Sequence, residues 1–116
     1  MSYSLSCHCG AVALEAEGEP PAKAMSCNCS MCRRRGYLLH FVPAGDVTLT
    51  TPRHALADYR FNKGKIAHLF CTTCGCAPFG EGEGPGGEKM VALNLRCAEG
   101  IDLDALELEK VDGASF

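Results

Sequence analysis

The sequence lacks an excess of positive charge, a long apolar run and a basic leader, and each absence argues against one class of protein. Its formal net charge is −3 over 116 residues, which argues against the basic surface by which proteins bind nucleic acid. No apolar run approaches the roughly 20 residues that a transmembrane helix needs, so we expect no membrane span. The stretch from Met1 to Cys7 has neither a basic segment nor a long apolar one, so we expect no signal peptide.

Helical periodicity is scarce as well, because no 3.6-residue pattern exceeds two turns. Short apolar segments bounded by turn residues are typical of strands, and we predict them at residues 11–17, 22–26, 36–42, 47–50, 55–61, 66–70 and 90–95. A hairpin turn is expected at 62–65, a glycine-rich loop at 80–88 and a short helical turn at 101–106. The length and pattern predict one mainly β domain over residues 1–116.

Cysteine, by contrast, is abundant. The chain has nine cysteines, and without a secretion signal we expect them in the reducing cytoplasm, where thiols stay free to bind metal. The odd number also argues against a complete disulfide framework. The cysteines therefore indicate metal binding.

Three of the cysteines, Cys27, Cys29 and Cys32, lie within six residues. Their thiols converge only if the backbone turns tightly, and the usual reason for such a turn is a metal ion. Three thiolates leave one tetrahedral position of a zinc ion unfilled, and an unfilled position is where zinc performs chemistry. The alternative is a closed structural site in which Cys76 or Cys97 supplies the fourth thiolate.

Two further cysteine pairs flank this cluster in sequence. In an extended segment Cys7 and Cys9 share one face. Cys71 and Cys74, followed by Gly75, have the spacing of a zinc knuckle. Together the two pairs complete a four-thiolate structural zinc site that joins the N-terminal strand to the second half of the chain. A redox dithiol would require a helix after Cys74, and no helical period follows.

Charged and titratable side chains near the cysteines suggest further roles. His68 lies three residues before Cys71, and an imidazole titrates near neutral pH, so His68 is our candidate for catalytic proton transfer. The run from Arg33 to Arg35 is either a solvated face or a patch that attracts an acidic substrate. Both interpretations remain open at this point.

The motifs together resemble the family of glutathione-dependent formaldehyde-activating enzymes and centromere protein V. They are Cys7-His8-Cys9-Gly10-Ala11-Val12, then Cys27 to Arg34 with Gly36, then His68-Leu69-Phe70-Cys71 with Cys74-Gly75, and in the tail Asn94 to Cys97 with Asp112-Gly113. The resemblance implies a zinc-held pair of antiparallel sheets, the β-tent. It also implies one structural zinc on Cys7, Cys9, Cys71 and Cys74, and one catalytic zinc on Cys27, Cys29 and Cys32.

The resemblance implies a function as well. The family's namesake reaction forms S-hydroxymethylglutathione from glutathione and formaldehyde, which in reverse is a carbon–sulfur lyase reaction. We therefore expect a zinc-dependent lyase that acts on a small thiol adduct, with a thiol such as glutathione as its partner, working as a monomer or homodimer. The stretches 37–41 and 68–70 look closer to the centromere protein V branch. A non-catalytic zinc-binding module that engages a protein partner is accordingly the second hypothesis.

Overall fold

The computed structural model describes residues 1–60 and 66–113, and the strands in this part of the chain form two sheets. The strands are β1 (Ser2–Ser6), β2 (Ala13–Glu17), β3 (Lys23–Cys27), β4 (Leu39–Pro43), β5 (Val47–Leu49), β6 (Leu56–Tyr59), β7 (Ala67–Cys71), β8 (Phe79–Glu83), β9 (Lys89–Asn94) and β10 (Glu107–Val111). A three-stranded sheet has the order β1-β2-β5, and a seven-stranded sheet has the order β10-β3-β4-β9-β8-β7-β6. Every pairing is antiparallel except that of β10 with β3. The predicted mainly β architecture is confirmed.

The main core contains side chains from both sheets. Leu5 on β1 and Leu14 on β2 are fully buried, and so is Leu93 on β9 of the larger sheet. In β1 buried and exposed residues alternate, with Tyr3 and Leu5 pointing inward, because successive side chains of a strand point to opposite faces. Cys7 and Cys71 belong to the same core, so their thiols are removed from solvent.

Several short segments differ from the predictions. Ser30–Arg35 is a helix, α1, which ends at Gly36 in the left-handed conformation (φ 67°). Residues 7–10 form a turn in which the Gly10 N–H donates to the Cys7 carbonyl at 3.3 Å, so the prediction that Cys7 and Cys9 lie in an extended segment was wrong. The predicted loop at 80–88 was wrong for its first residues, because Phe79–Glu83 is β8, paired with both β7 and β9.

Other predictions agree with the structure within a few residues. The helical turn expected at 101–106 is a single 3₁₀ turn at Leu103–Ala105. The hairpin turn expected at 62–65, and the end of the strand expected at 55–61, lie outside the described residues. Besides β8, the strands β1 and β10 were not predicted. No helix in the described part of the chain is long and apolar enough to cross a membrane.

Candidate metal centres

Cys7, Cys9, Cys71 and Cys74 bring their thiols together at one point. All four sulfur atoms lie within 4.8 Å of one another. The Cys7 and Cys9 sulfurs are 3.7 Å apart and those of Cys9 and Cys71 are 3.6 Å apart. Zinc–thiolate bonds of about 2.3 Å in a tetrahedron separate the sulfurs by about 3.8 Å. Both the donor chemistry and the spacing therefore fit a zinc ion, and these four residues can hold one.

Backbone N–H groups point at several of these sulfurs and favour the thiolate form of Cys71 and Cys74. The Cys71 sulfur accepts from the N–H of Thr73 at 3.3 Å and of Cys74 at 3.5 Å, and the Cys7 sulfur accepts from Val12 at 3.3 Å. The N–H groups of Cys74 and Thr73 lower the pKa of Cys71. Those of Cys76 and Cys9 lower the pKa of Cys74 to about 5. A thiolate is the form that a metal binds, so the turn that contains Cys71 and Cys74 favours metal binding.

The four-thiol group connects the two sheets. Cys7 follows β1 of the three-stranded sheet, whereas Cys71 is the last residue of β7 in the seven-stranded sheet. Cys7 and Cys71 are almost completely buried, and Cys9 is exposed. A metal ion bound here would link segments more than sixty residues apart in the chain.

A second group of three thiols forms at the start of α1. Cys27 ends β3, Cys29 is the N-cap of α1, and Cys32 lies inside the helix with its side chain buried. The three sulfurs lie within 4.8 Å of one another. The Cys29 sulfur accepts from the Cys32 N–H at 3.4 Å, which caps the helix, and the Cys27 sulfur accepts from the Cys29 N–H at 3.5 Å. Burial opposes ionisation of Cys29, but hydrogen bonds from Cys32 outweigh it and lower the pKa of Cys29.

No fourth candidate ligand joins the three-thiol group within residues 1–60 and 66–113, where Cys, His, Asp and Glu side chains were compared. The remaining eight residues of the chain contain none of these four residue types. Cys76 and Cys97, the proposed closing ligands, pack against the main core instead. Burial raises the pKa of Cys97 to about 11, so this thiol stays protonated and behaves as a small apolar side chain.

The segment after β10 lies directly against the three-thiol group. β10 runs parallel to β3 and places Val111 beside Cys27. The Asn28 N–H donates to the Val111 carbonyl at 3.1 Å, and the Asn28 side-chain amide donates to the Asp112 carboxylate at 3.0 Å. A Cβ atom at Gly113 would overlap the Cys27 sulfur. Glycine is therefore required here by close approach of the backbone to a thiol.

A cavity of about 490 Å³ opens beside the three-thiol group, with Cys27 and Cys32 in its wall. We call it the cationic groove, because Arg33, Arg96 and Lys110 line it together with a single carboxylate, Asp112. The Arg96 guanidinium is held by donating to the Gly36 carbonyl. The excess of positive charge suits an anionic ligand.

The three consecutive arginines diverge. Only Arg33 lines the cationic groove. Arg34 donates to the Ser30 carbonyl at 3.0 Å on the exposed side of α1. Arg35 donates to the Tyr37 hydroxyl at 2.9 Å and lies 5.1 Å from the centre of the Phe70 ring. Attraction of an acidic substrate is therefore an interpretation that fits Arg33 alone.

A second cavity, of about 450 Å³, meets the same thiols and has an almost entirely apolar wall. We call it the apolar chamber. It is lined by Cys27, Cys29, Cys32, Tyr37, His68 and Gly80, and by the apolar side chains Met25, Leu39, Phe41, Ile66, Ala92 and Val111, with Gly113 at the three-thiol group. Cys27, Cys32, Tyr37 and Val111 line both cavities, so the three-thiol group lies where groove and chamber meet.

His68 faces the chamber because of the alternation along β7. Ala67, Leu69 and Cys71 are buried in the main core, so His68 and Phe70 point to the opposite face of the strand. Burial and the nearby Arg35 guanidinium lower the pKa of His68, which the Asp58 carboxylate only partly offsets. The imidazole is therefore neutral at neutral pH. Its catalytic role stays a prediction.

Four residues of the site were assigned no role from the sequence. Tyr37 lines both cavities, Arg96 and Lys110 line the groove, and Gly113 lies against the Cys27 sulfur. Their chain positions range from 37 to 113, so only the folded arrangement brings them together. Arg96 and Gly113 were part of the motifs that resembled the family, and Tyr37 lay in the stretch that resembled its centromere protein V branch, but neither match assigned these residues a role.

Comparison with known proteins gives two results. The family model described as glutathione-dependent formaldehyde-activating enzyme matches residues 2–102. A crystal structure of a Rhodobacter sphaeroides protein superimposes with a TM-score of 0.80 at 30% sequence identity, covering 93% of this chain and 99% of that one. The family match ends before β10, whereas the structural match extends over most of the chain.

We predict that Cys71→Ser removes one equivalent of bound zinc and unfolds the protein or sharply lowers its melting temperature. Binding of a structural zinc is worth about 10–16 kcal/mol in small zinc domains, which matches or exceeds the whole stability of a typical domain, about 5–15 kcal/mol. Zinc stoichiometry and thermal unfolding measure both effects. Cys76→Ser is the matched control, since Cys76 belongs to neither thiol group. Equal stoichiometry and melting temperature in Cys71→Ser and wild type would refute the assignment.

Proposed function

This chain belongs to the family of glutathione-dependent formaldehyde-activating enzymes, and on that premise we propose that it is a zinc-dependent carbon–sulfur lyase. The reaction makes and breaks the bond between the sulfur of a small acidic thiol and a carbonyl carbon. We further propose that one zinc is structural, on Cys7, Cys9, Cys71 and Cys74. The second, catalytic zinc would be held by Cys27, Cys29 and Cys32.

One observation carries this proposal: three converging thiols stand at the junction of a cationic groove and an apolar chamber. A purely structural zinc site is closed by four protein ligands, whereas a catalytic site keeps one position open to a ligand. In the described part of the chain no fourth ligand joins the three thiols, and both cavities reach them. A small thiol entering from the groove can therefore place its sulfur at the group while a carbonyl compound occupies the chamber.

The groove is the proposed binding site for the acidic thiol. Arg33, Arg96 and Lys110 would bind its carboxylates, and this binding would orient its sulfur toward Cys27 and Cys32. A zinc ion on the three thiolates would keep the sulfur of the bound thiol deprotonated, since a soft thiolate site accepts a further sulfur ligand readily. The same thiols must stay reduced to bind metal, so we propose a cytoplasmic location.

His68 is proposed as the proton carrier. In the lyase direction its neutral imidazole takes the proton of the adduct's hydroxyl, the carbonyl double bond forms, and the electron pair of the carbon–sulfur bond leaves with sulfur. In the opposite direction the imidazolium returns that proton to the carbonyl oxygen. The lowered pKa of His68 supports the base role, because the unprotonated form predominates at neutral pH. Tyr37, whose hydroxyl is held by Arg35, lines the same chamber.

The central test is whether the three-thiol group has an exchangeable fourth position. We predict that added glutathione changes the visible spectrum of the cobalt-substituted protein, because a new thiolate ligand alters the coordination of an open three-thiolate site. Cys76→Ser should respond as wild type does, since Cys76 lies with the main core. Cys27→Ser should lose the response.

The opposite pattern would overturn the lyase proposal. A spectrum that ignores glutathione in wild type and responds only in Cys76→Ser would mean that Cys76 closes the site. The chain would then be better described as a zinc-binding module that engages a protein partner. No exchange of ligands, and no chemistry, would be expected of such a site.

We predict that His68→Gln lowers kcat for adduct cleavage by about 10²- to 10⁴-fold, the range that a general base contributes. The KM and the zinc stoichiometry should stay near the wild-type values, because glutamine keeps a polar side chain of similar size. In wild type kcat should fall as pH drops through the lowered pKa of His68, where the imidazole gains a proton. This fall of kcat at low pH should be absent in His68→Gln. If it persists, another residue is the base.

Arg33 and Arg34 allow a controlled test of the groove, because only Arg33 lines it. We predict that Arg33→Gln weakens glutathione binding about three- to fivefold, since an exposed ion pair contributes up to about 1 kcal/mol. It should also flatten the salt dependence of binding, whereas Arg34→Gln should change neither, because Arg34 lies outside the groove. Calorimetric titration at low and high salt measures both. Wild-type affinity that is indifferent to salt would exclude electrostatic recognition.

A further inference from the structure

Resting on the proposed function, we propose that the carbonyl half of the substrate carries an apolar chain of several carbons. The natural carbonyl compound would thus be a neutral aliphatic aldehyde longer than formaldehyde. The apolar chamber is the binding site for its chain, and the three-thiol group with His68 is where its carbonyl carbon reacts.

The size of the chamber exceeds what formaldehyde requires. Its volume is about 450 Å³, whereas a cavity of roughly 150 Å³ already encloses a benzene ring. Formaldehyde has only two heavy atoms, so it would leave most of the apolar wall in contact with water. A chain of several carbons would displace that water and fill the space.

The chemistry of the wall selects the same class of ligand. No Asp, Glu, Lys or Arg lines the chamber within the described residues, and beyond the thiols its titratable groups are His68 and Tyr37. A charged substituent placed here would lose its hydration without gaining a partner. An apolar chain is stabilised instead, by roughly 0.8 kcal/mol for each methylene that is buried.

The apolar surface continues outward from the thiols. Phe41, Ile66 and Ala92 line the chamber and also a second cleft of about 310 Å³ that includes Met90. Phe41 and Ile66 are 46% and 52% exposed, although both are large and hydrophobic. Glu83 also lines this outer cleft and would repel a carboxylate at the far end of the chain, whereas the neighbouring Glu81 is ion-paired with Arg53. The occupant is therefore a neutral chain rather than a fatty acid derivative.

The step conserves atoms and electrons without an external oxidant or reductant. The thiol gives its proton to His68, its sulfur forms a bond to the aldehyde carbon, the carbonyl π electrons move to oxygen, and His68 passes the proton to that oxygen. Cleavage reverses each movement, with His68 taking the hydroxyl proton. The alkyl chain takes no part in bond making, so its contribution is binding and orientation.

The test compares straight-chain aldehydes from formaldehyde to hexanal, with glutathione as the probe thiol and the zinc-loaded protein. Exchange NMR gives kcat/KM for adduct formation, which should rise about fourfold for each methylene that is fully buried, the ratio that corresponds to about 0.8 kcal/mol. A second measurement does not depend on turnover. Unreactive analogues of the aldehydes, from acetamide to hexanamide, are titrated into the protein, and their binding is followed through the backbone N–H signals of Ile66, His68 and Ala92. The dissociation constants should fall by a similar ratio per methylene.

Ala92→Leu should shorten the chamber and lower the hexanal-to-formaldehyde ratio of kcat/KM at least tenfold, with a matching loss of hexanamide affinity. Ala22→Leu is the control, because it makes the same substitution at an exposed position outside the chamber. A chain-length series that is flat or falling in both measurements overturns the aldehyde proposal, whether or not formaldehyde reacts. Failure of every aldehyde to react above the rate without protein overturns the proposed lyase function itself.

Discussion

The convergence of four thiols between two sheets is the constraint on which the rest of the structure depends. Cys7 follows the three-stranded sheet and Cys71 ends a strand of the seven-stranded one. A domain of this size buries a limited apolar core, and Cys7 and Cys71 are themselves part of that core. A metal on this group would thus fix both the angle between the sheets and the position of β7, whose last residue is Cys71.

The side chains of β7 alternate between the main core and the side that faces the apolar chamber, so the two faces of the strand have different roles. Cys71 and Leu69 point into the main core, while His68 and Phe70 point toward the three-thiol group. Side chains on the two faces of one strand cannot move independently along it. A metal on the four-thiol group would therefore help to fix the position of His68, which lines the chamber, although none of those four thiols lines it.

The cysteine spacing predicted both thiol groups, because ligands close in sequence need only local turns to converge. Longer-range features had no comparable signal. Helix α1 has six residues, too few for a visible period, and its cap is Cys29 rather than a serine or aspartate. The glycines of β8 suggested a loop, yet Gly80 lies in a strand that pairs with β7 and β9. A Cβ there would meet the Ala67 carbonyl at 3.0 Å, so glycine allows the close approach of β7. Strand β10 is exposed along most of its length, so no apolar alternation marks it.

Part of the site lies outside the residues that match the family model, and this bears on which substrate would bind. All seven clustered cysteines and His68 lie within residues 2–102, the range that matches the family. Lys110, Asp112 and Gly113 lie beyond it, yet they form part of the groove or contact the thiols. β10 reaches them through parallel pairing with β3, the strand that ends at Cys27. We therefore expect substitutions in this short C-terminal segment to change binding of the proposed acidic thiol, while the seven clustered cysteines and His68 stay the same.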